Sequence, residues 1–414
     1  MSHITIKSLA DENRLDELAS LNLIVHSINE RFCTNVFELN PSSNKPEYHR
    51  YVLDHGRIVA GTSLLRHTLQ WYSSTIPAGE TGLVGTLEEH RGKGYATALM
   101  NDWLDTMRDD GTPLSFLWGI PDFYEKFHYH YAYPNHGTSY VSLPRSCILD
   151  WEPAGTIRPA TAEDRFWIRK LYRAYNAGLV GCQVRDEKQW EHYFKLTENA
   201  KNVQWWVPED PLGGYALVAG SPPAVWEIAA PSPNSLRILV SGIFENRPDL
   251  ERLDFFHHPD MPIGRWLYRW GARVSSPEDI WKGTWGGMVR LMKPSALLAP
   301  MSDKLAERIA ASRFFAFIGE IAFQSEVGGA IIDISDGEIK IHENSERTGF
   351  QIPARVLTPM MTGYRGFERF RDELKDIPDS IADILAVLFP RDTVFMYTLL
   401  YADEELSKPE YCDA

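Results

Sequence analysis

Gly82-Leu83-Val84-Gly85-Thr86-Leu87-Glu88-Glu89-His90-Arg91-Gly92-Lys93-Gly94-Tyr95-Ala96 is the stretch from which the rest of the chain can be read. It opens as a short apolar strand with two glycines, passes two acids, and enters a glycine-containing loop that carries Arg91 and Lys93. Beyond it, Leu99, Met100, Trp103, Leu104 and Met107 recur at helical spacing, which predicts a helix with one apolar stripe packed on a sheet. Gly111 and Pro113 are its stop signals. Strand, glycine loop and helix together make an anion site. The first amides of a helix have no partner within it, and the helix dipole adds positive potential there. Glycines let the backbone come close to a ligand, and a pyrophosphate is the natural guest.

Two common phosphate loops do not fit. A nucleoside-triphosphate loop needs Ser or Thr after its lysine, and Lys93 is followed by Gly94. A dinucleotide fingerprint needs a third glycine where Thr97 stands. What remains is R-x-x-G-x-A, matched by Arg91, Gly94 and Ala96. This resembles the coenzyme A pyrophosphate loop of the GCN5-related N-acetyltransferases (GNAT). The next elements add to the resemblance. Leu114 to Gly119 reads as a strand, and Tyr124, Phe127 and Tyr129 fit the Tyr-x-x-Phe-Gly-Tyr/Phe pattern that follows it in that superfamily, with His128 where glycine is usual.

The order of elements fits as well. Residues 4–10 read as a strand, Glu12 to Phe32 as a helix, and Tyr51-Val52-Leu53, Ile58 to Leu65 and Leu69 to Ile76 as strands. A second unit begins near Thr156, with a helix from Trp167 to Gly178 and strands at Val203–Val207, Gly214–Ala219, Val225–Ala229 and Ser235–Val240. No glycine loop follows there, and Arg265-Trp266-Leu267-Tyr268-Arg269-Trp270 lacks the glycines a close backbone approach requires. From about residue 287 come the strand-like Met288–Leu291, a helix from Ser302 to Arg313 with Ser302 as N-cap, strands at Phe314–Gln324 and Ala330–Ser335, and helices at Ala354–Met361 and Ser380–Leu388. Asp336-Gly337 before Ile339-Lys340-Ile341 predicts a hairpin, because both turn positions want positive φ.

The fold class expected is α+β, with tandem GNAT-type mixed sheets at 1–150 and 151–286 and a sterol-carrier-like domain with a C-terminal tail at 287–414. This layout resembles the Eis (enhanced intracellular survival) family. The resemblance implies an acetyl-CoA-dependent transferase acting on an amine, polycationic or lysine- or aminoglycoside-like, by direct attack within a ternary complex. It implies that Val84 and Thr86 offer strand backbone to the pantetheine arm. Arg91, Gly92, Lys93, Gly94, Tyr95 and Ala96 would cradle the pyrophosphate, and Tyr124 would protonate the leaving thiolate. The implied base is the chain's C-terminal carboxylate, here that of Ala414. The acidic tail after Phe389-Pro390 is longer than is usual in that family. Glu404, Glu405 or a water remain alternatives, as does a tail that is simply solvated. A hexamer is implied too. The alternative reading is a lipid or small-molecule binding protein that uses the C-terminal domain.

Composition narrows the remainder. A formal net charge of -14 argues against general nucleic-acid binding and suits a cationic substrate. No apolar run reaches the ~20 residues of a membrane span, and no secretory signal is visible, so a cytoplasmic setting is expected. Cys33, Cys147, Cys182 and Cys412 are isolated, with no disulfide framework and no zinc spacing. No metal is expected. The run Asp254-Phe255-Phe256-His257-His258-Pro259-Asp260 reads as a polar turn, His128 and His130 as packing residues, and Glu17, Glu30 and Glu38 as solvated acids.

Overall fold

The computed structural model describes residues 4–134, 141–151, 155–220, 222–274 and 286–396. It divides into two units, each discontinuous in sequence. The first takes in Met1–Pro134, Gly178–Arg185 and Ile280–Leu400, and the second Asn135–Ala177, Asp186–Asp279 and Tyr401–Ala414. The architecture is α+β with mixed sheets.

In the first unit, β1 (Ile6–Ser8), α1 (Leu15–His26), α2 (Glu30–Thr34), β2 (His49–Asp54), β3 (Arg57–Trp71), β4 (Ser74–Thr86), α3 (Tyr95–Asp109), β5 (Leu114–Gly119) and β6 (His130–Tyr133) follow in order. The strands from β1 to β4 are antiparallel neighbours. The step from β4 to β5 is parallel. Between β5 and β6 lies the strand Gly286–Leu291, antiparallel to both, and Val180–Gln183 pairs with the far end of β3.

Two glycines let helices sit on this sheet. A Cβ on Gly61 would lie 2.6 Å from Leu18 of α1, and one on Gly79 would lie 2.5 Å from Met107 of α3. The predicted stripe of α3 is its buried face. Arg50 on β2 lies over the Trp103 ring and pairs with Asp102, which locks α3 in place. A second layer of the same unit holds the four-stranded sheet of Glu338–Glu343, Ala330–Ser335, Gly319–Gln324 and Phe350–Gln351. The Asp336-Gly337 hairpin is present, with φ of 52° and 79°.

The second unit has a seven-stranded sheet. Its order is Arg273–Val274, Val141–Pro144, Arg252–Phe255, Pro223–Ala229, Tyr215–Gly220, Val203–Pro208 and Ile157–Pro159. Its only parallel step among the described residues joins Pro223–Ala229 to Arg252–Phe255. That is the strand pattern of the first sheet. The position next to the strand beyond the parallel step is filled by Gly286–Leu291 in the first sheet and by Val141–Pro144 in the second. The first sheet thus takes two strands, Val180–Gln183 and Gly286–Leu291, from much farther along the chain.

Several local readings are corrected. Ser235–Val240 lies inside a helix, Pro233–Asn246, because Ser232 caps it and Pro233 fits its first turn. The expected helix from Glu12 to Phe32 is two helices, broken at Ser27 with φ 53°. Leu69 to Ile76 is a hairpin bend between β3 and β4, not one strand. Ser302 is the first residue of its helix instead of the cap, and its hydroxyl donates to the Ala299 carbonyl at 2.9 Å. Of Phe314–Gln324, only Gly319–Gln324 is strand.

Buried neutral histidines give the fold an acid limit. His49 is fully buried between the Ser63 hydroxyl (2.9 Å) and the Ser43 carbonyl (2.7 Å). Burial pulls its pKa down to about 4, against the opposing pull of the Ser43 carbonyl. The unfolded chain therefore binds the extra proton first, and stability falls as pH drops below about 6.5, levelling off below about 4. By pH 5 the loss from this one group is about 2 kcal/mol. Urea unfolding at pH 7 and pH 5 should show that drop in the wild type, and a His49→Gln variant should show a drop smaller by about that amount.

Candidate functional site: a cleft at the fork of two strands

The cleft begins where the sheet comes apart. β4 and β5 pair at Ala78–Leu114, Gly79–Ser115 and Glu80–Phe116, and nowhere beyond. β4 runs on to Thr86 and β5 to Gly119 as separate arms. A register shift against β3 falls in the same place, between the Gly61–Gly85 and Ser63–Gly82 pairs, and Leu83 there takes φ 53°. The bulge turns β4 away and frees one edge of its last residues. This fork is the feature that sequence reading missed. Its sequence signal is the pair Gly82 and Gly85 flanking Leu83, since a glycine inside a strand often marks a bulge.

A cavity of about 650 Å³ occupies the fork. Val84, Gly85 and Thr86 form one wall, with Val25 from the last turn of α1 beside them. His90, Arg91, Gly92, Gly94, Tyr95, Ala96 and Thr97 form the floor. Ile120, Phe123, Tyr124 and Lys126 close the other side. Of the residues singled out in the sequence, Val84, Thr86, Arg91, Gly92, Gly94, Tyr95, Ala96 and Tyr124 thus meet in one cleft. Ala414, Glu404 and Glu405 lie outside the described residues.

The loop geometry is that of an open helix end. Gly92 and Gly94 have φ of 78° and 86°. Gly94 is the N-cap of α3 and makes no side-chain cap, and the first intrahelical bond on it runs from the Ala98 amide to the Gly94 carbonyl. The amides of Tyr95, Ala96 and Thr97 come before that bond and are left to the cleft.

The charges sort unevenly. Lys93 does not line the cavity. Its Nζ donates to Asp54 Oδ2 at 3.2 Å, the Tyr95 hydroxyl donates to the same oxygen at 3.0 Å, and His90 Nδ1 lies 3.1 Å from it. The Tyr95 bond, then the Lys93 bond, holds the Asp54 carboxyl below the usual carboxylate range. Arg91 stays at the cleft, its Nε 3.4 Å from the Thr86 carbonyl. Lys126 supplies the second cation of the cleft. It lies over the Phe123 ring at 4.1 Å, with Nζ 3.3 Å from the Thr97 hydroxyl. Lys126 escaped sequence reading because nothing in the local pattern says that a lysine after Tyr124 faces a loop thirty residues upstream.

Tyr124 is 8% exposed, packed edge-on against Phe123 (4.8 Å) and Tyr129 (6.2 Å). Burial raises its pKa well above the usual tyrosine value, so the phenol stays protonated. His128 takes φ 60°, the left-handed conformation that favours the glycine expected there. The acids read as solvated do not line the cavity. Glu17 accepts from the Ile58 amide at 2.6 Å, and Glu30 and Glu38 are exposed. His257 is buried against the Tyr175 hydroxyl at 3.0 Å. Among the described residues no group of three or more His, Cys, Asp or Glu side chains could hold a metal ion. No helix among them is long and apolar enough to cross a membrane.

Residues 39–132 match the family described as acetyltransferase (GNAT) domain. No curated protein matches the chain in sequence. Solved structures match along almost its full length. A GCN5-related N-acetyltransferase from Anabaena variabilis superposes with a TM-score of 0.75 at 14% identity, covering 95% of this chain and 99% of that one. One from Kribbella flavida gives 0.71 at 17%, covering 95% and 98%. Eis1 from Mycobacterium abscessus gives 0.67 at 16%, covering 95% and 99%. The matched segment contains the fork, the loop, α3 and Tyr124, and it marks the protein as an acyltransferase with a GNAT domain.

The open helix end can be tested on stability alone. A Cβ on Gly94 would meet nothing within 4 Å, so its requirement is conformational, not steric. Gly94→Ala should cost about 1–2 kcal/mol in urea unfolding. Gly94→Asn should cost less than Gly94→Ala, because asparagine enters the left-handed region more readily.

Proposed function

We propose that the protein transfers an acetyl group from acetyl-CoA to an amine by direct attack within a ternary complex. The observation that carries this reading is the convergence of the β4–β5 fork, the uncapped N-terminus of α3 and Tyr124 on one cavity. The pantetheine arm is a chain of amides, and β4 beyond Glu80 has an edge on which such a chain can continue the sheet. The pyrophosphate then meets the amides of Tyr95, Ala96 and Thr97 and the turn at Gly92 and Gly94. Arg91 and Lys126 both line the cavity and supply cations, while the charge of Lys93 is already engaged by Asp54.

The chemistry needs an amine with a free lone pair. An alkyl ammonium has a pKa of about 10.4, so holding it neutral at pH 7 costs about 4–5 kcal/mol. A formal charge of -14 on the chain favours the approach of a cationic acceptor. Attack on the thioester carbonyl expels the thiolate. Tyr124 lines the cavity, is kept protonated by burial, and gives its proton to sulfur as charge develops. The resemblance to the Eis-like layout, with a C-terminal carboxylate as base, belongs to this proposal and turns on Ala414.

Thiol release from acetyl-CoA, measured against a panel of amines, tests the reading. Failure of calorimetry to detect acetyl-CoA binding would end it. Tyr124→Phe should lower kcat about 10²-fold or more while leaving acetyl-CoA affinity near the wild-type value. Unchanged turnover would remove the acid role. The charge assignment predicts that Arg91→Met and Lys126→Met each weaken acetyl-CoA binding about tenfold, as loss of a charge-assisted hydrogen bond should. Lys93→Met should weaken it less than either, because an exposed pair already holds that charge.

A further inference from the structure

The strand Gly286–Leu291 sits between β5 and β6, and every residue on it except Arg290 is buried. Met288 packs in the cluster that holds Tyr124, Phe127 and Tyr129. Arg290, two residues on, stands on the same face of the strand, and its Nη1 donates to the Phe127 carbonyl. Its Nε is buried with no hydrogen-bond partner. Burial pulls its pKa down, Tyr129 opposes the pull and Arg108 adds to it; no carboxylate among the described residues offsets them. A guanidinium taken out of water without a carboxylate is costly, and an apolar side chain of similar size is often the more stable choice. The charge therefore calls for a role.

That role lies in what Arg290 holds. Tyr124 immediately precedes a single short helical turn, Glu125–Phe127. One isolated turn is not stable by itself. Inside it the Tyr124 carbonyl accepts from the Phe127 amide at 3.0 Å and the Tyr129 amide at 3.3 Å, and the Glu125 carbonyl accepts from the His128 amide at 2.8 Å. His128 then turns away in the left-handed conformation, which leaves the Phe127 carbonyl to a donor from outside. A cation suits the carbonyl end of a helical turn, and Arg290 brings one from another strand. The turn has two further ties. The buried Tyr129 hydroxyl lies 2.7 Å from that of Ser115 on β5, which donates to the Gly79 carbonyl on β4 at 3.0 Å, across one of the three rungs below the fork. Lys126 reaches Thr97 on α3. Of the three, only Arg290 grips the backbone of the turn.

We propose that Arg290 is a positioning residue for the proton donor: its hydrogen bond to the Phe127 carbonyl fixes the turn that carries Tyr124, and so sets where the phenol stands at the fork. The inference rests on the acid role given to Tyr124 above. Arg290 does not line the cavity, so removing it takes no contact from acetyl-CoA. What changes is the placing of the phenol, and a shift of about 1 Å in a reacting group can cost about 10²-fold in rate. Arg290 also lies outside residues 39–132, the segment that matches the GNAT domain. The clamp joins residues 163 positions apart, so the acid is in place only once the strand Gly286–Leu291 has entered the first sheet.

A double-mutant cycle on Arg290→Met and Tyr124→Phe in the full chain tests this. Acetyl-CoA affinity, by calorimetry, is measured first as the check on folding and donor binding. Arg290→Met should bind acetyl-CoA within about twofold of the wild type and lose about 10- to 10²-fold in kcat. In the Tyr124→Phe background the same substitution should change kcat by less than about twofold, because no donor is left to place. Arg290→Lys, which keeps a donor for the Phe127 carbonyl, should lose less than Arg290→Met. A merely structural role would lower kcat equally in both backgrounds. Should Arg290→Met not fold, Arg290→Lys and Arg290→Gln carry the same cycle. The inference is overturned if the variants that bind acetyl-CoA keep the wild-type kcat, or if their loss is as large without the Tyr124 hydroxyl as with it. The two readings fail separately. A Tyr124→Phe enzyme with wild-type turnover removes the acid role and this inference with it, whereas a slow Tyr124→Phe beside a fast Arg290→Met removes this inference alone.

Discussion

A parallel pair of strands that stops pairing after three rungs is the constraint on which the first unit depends. Parallel neighbours are normally buried and hydrogen-bonded along their length. Here β4 passes Glu80, bulges at Leu83 and continues without β5. The amides and carbonyls on that edge must find solvent or a ligand, since leaving them unpaired in a dry interior costs about 1–3 kcal/mol each. The glycines on β4 serve the same geometry from the other side. Gly79 admits Met107 of α3, and Gly85 admits Val25 and His26 of α1. Both helices therefore press on the strand that forks.

Charge is then placed by what each cation already touches. The loop has two positive residues in sequence, but Asp54 satisfies Lys93 and the Tyr95 hydroxyl together. That contact braces the loop against the β2–β3 turn and gives the glycine run a fixed path into α3. Arg91 and Lys126 keep their charge for the cleft. Lys126 also lies against Phe123 and bonds Thr97, so the chain segment carrying Tyr124 is tied to the first turn of α3. One lysine thus supports both ends of the proposed reaction.

Much of this was legible because it is local. The stripe of α3 is set by 3.6-residue periodicity, and the Asp336-Gly337 turn by residues that tolerate positive φ. The loop and Tyr124 each lie in a short run of sequence, and both line the cavity. What was not legible is non-local. The fork depends on which residue of β4 pairs with which residue of β3. The placing of Gly286–Leu291 between β5 and β6 joins segments more than one hundred and fifty residues apart. Ser235–Val240 was misread because a short apolar run cannot by itself tell a buried strand from a buried helix. The cap at Ser232 and Pro233 was the available signal.

That same cap explains why the repeated strand pattern of the second unit need not repeat the first unit's chemistry. In both units a helix follows the strand that precedes the parallel step. In the first, α3 begins at Gly94 with no side-chain cap, and its leading amides face a cleft. In the second, the helix begins at Ser232, whose hydroxyl accepts from the Ser235 amide at 3.1 Å, and Pro233 in its first turn has no N–H to offer. Two of the donors an anion would need are thereby removed, one by a side chain and one by the absence of the hydrogen. The helix is self-sufficient, and the dipole at its end meets a serine instead of a ligand. With glycine at the N-cap, the open end of α3 is less stable than a Ser-capped one by only about a few tenths of a kcal/mol. The first unit leaves that helix end open at the cleft proposed to hold a pyrophosphate.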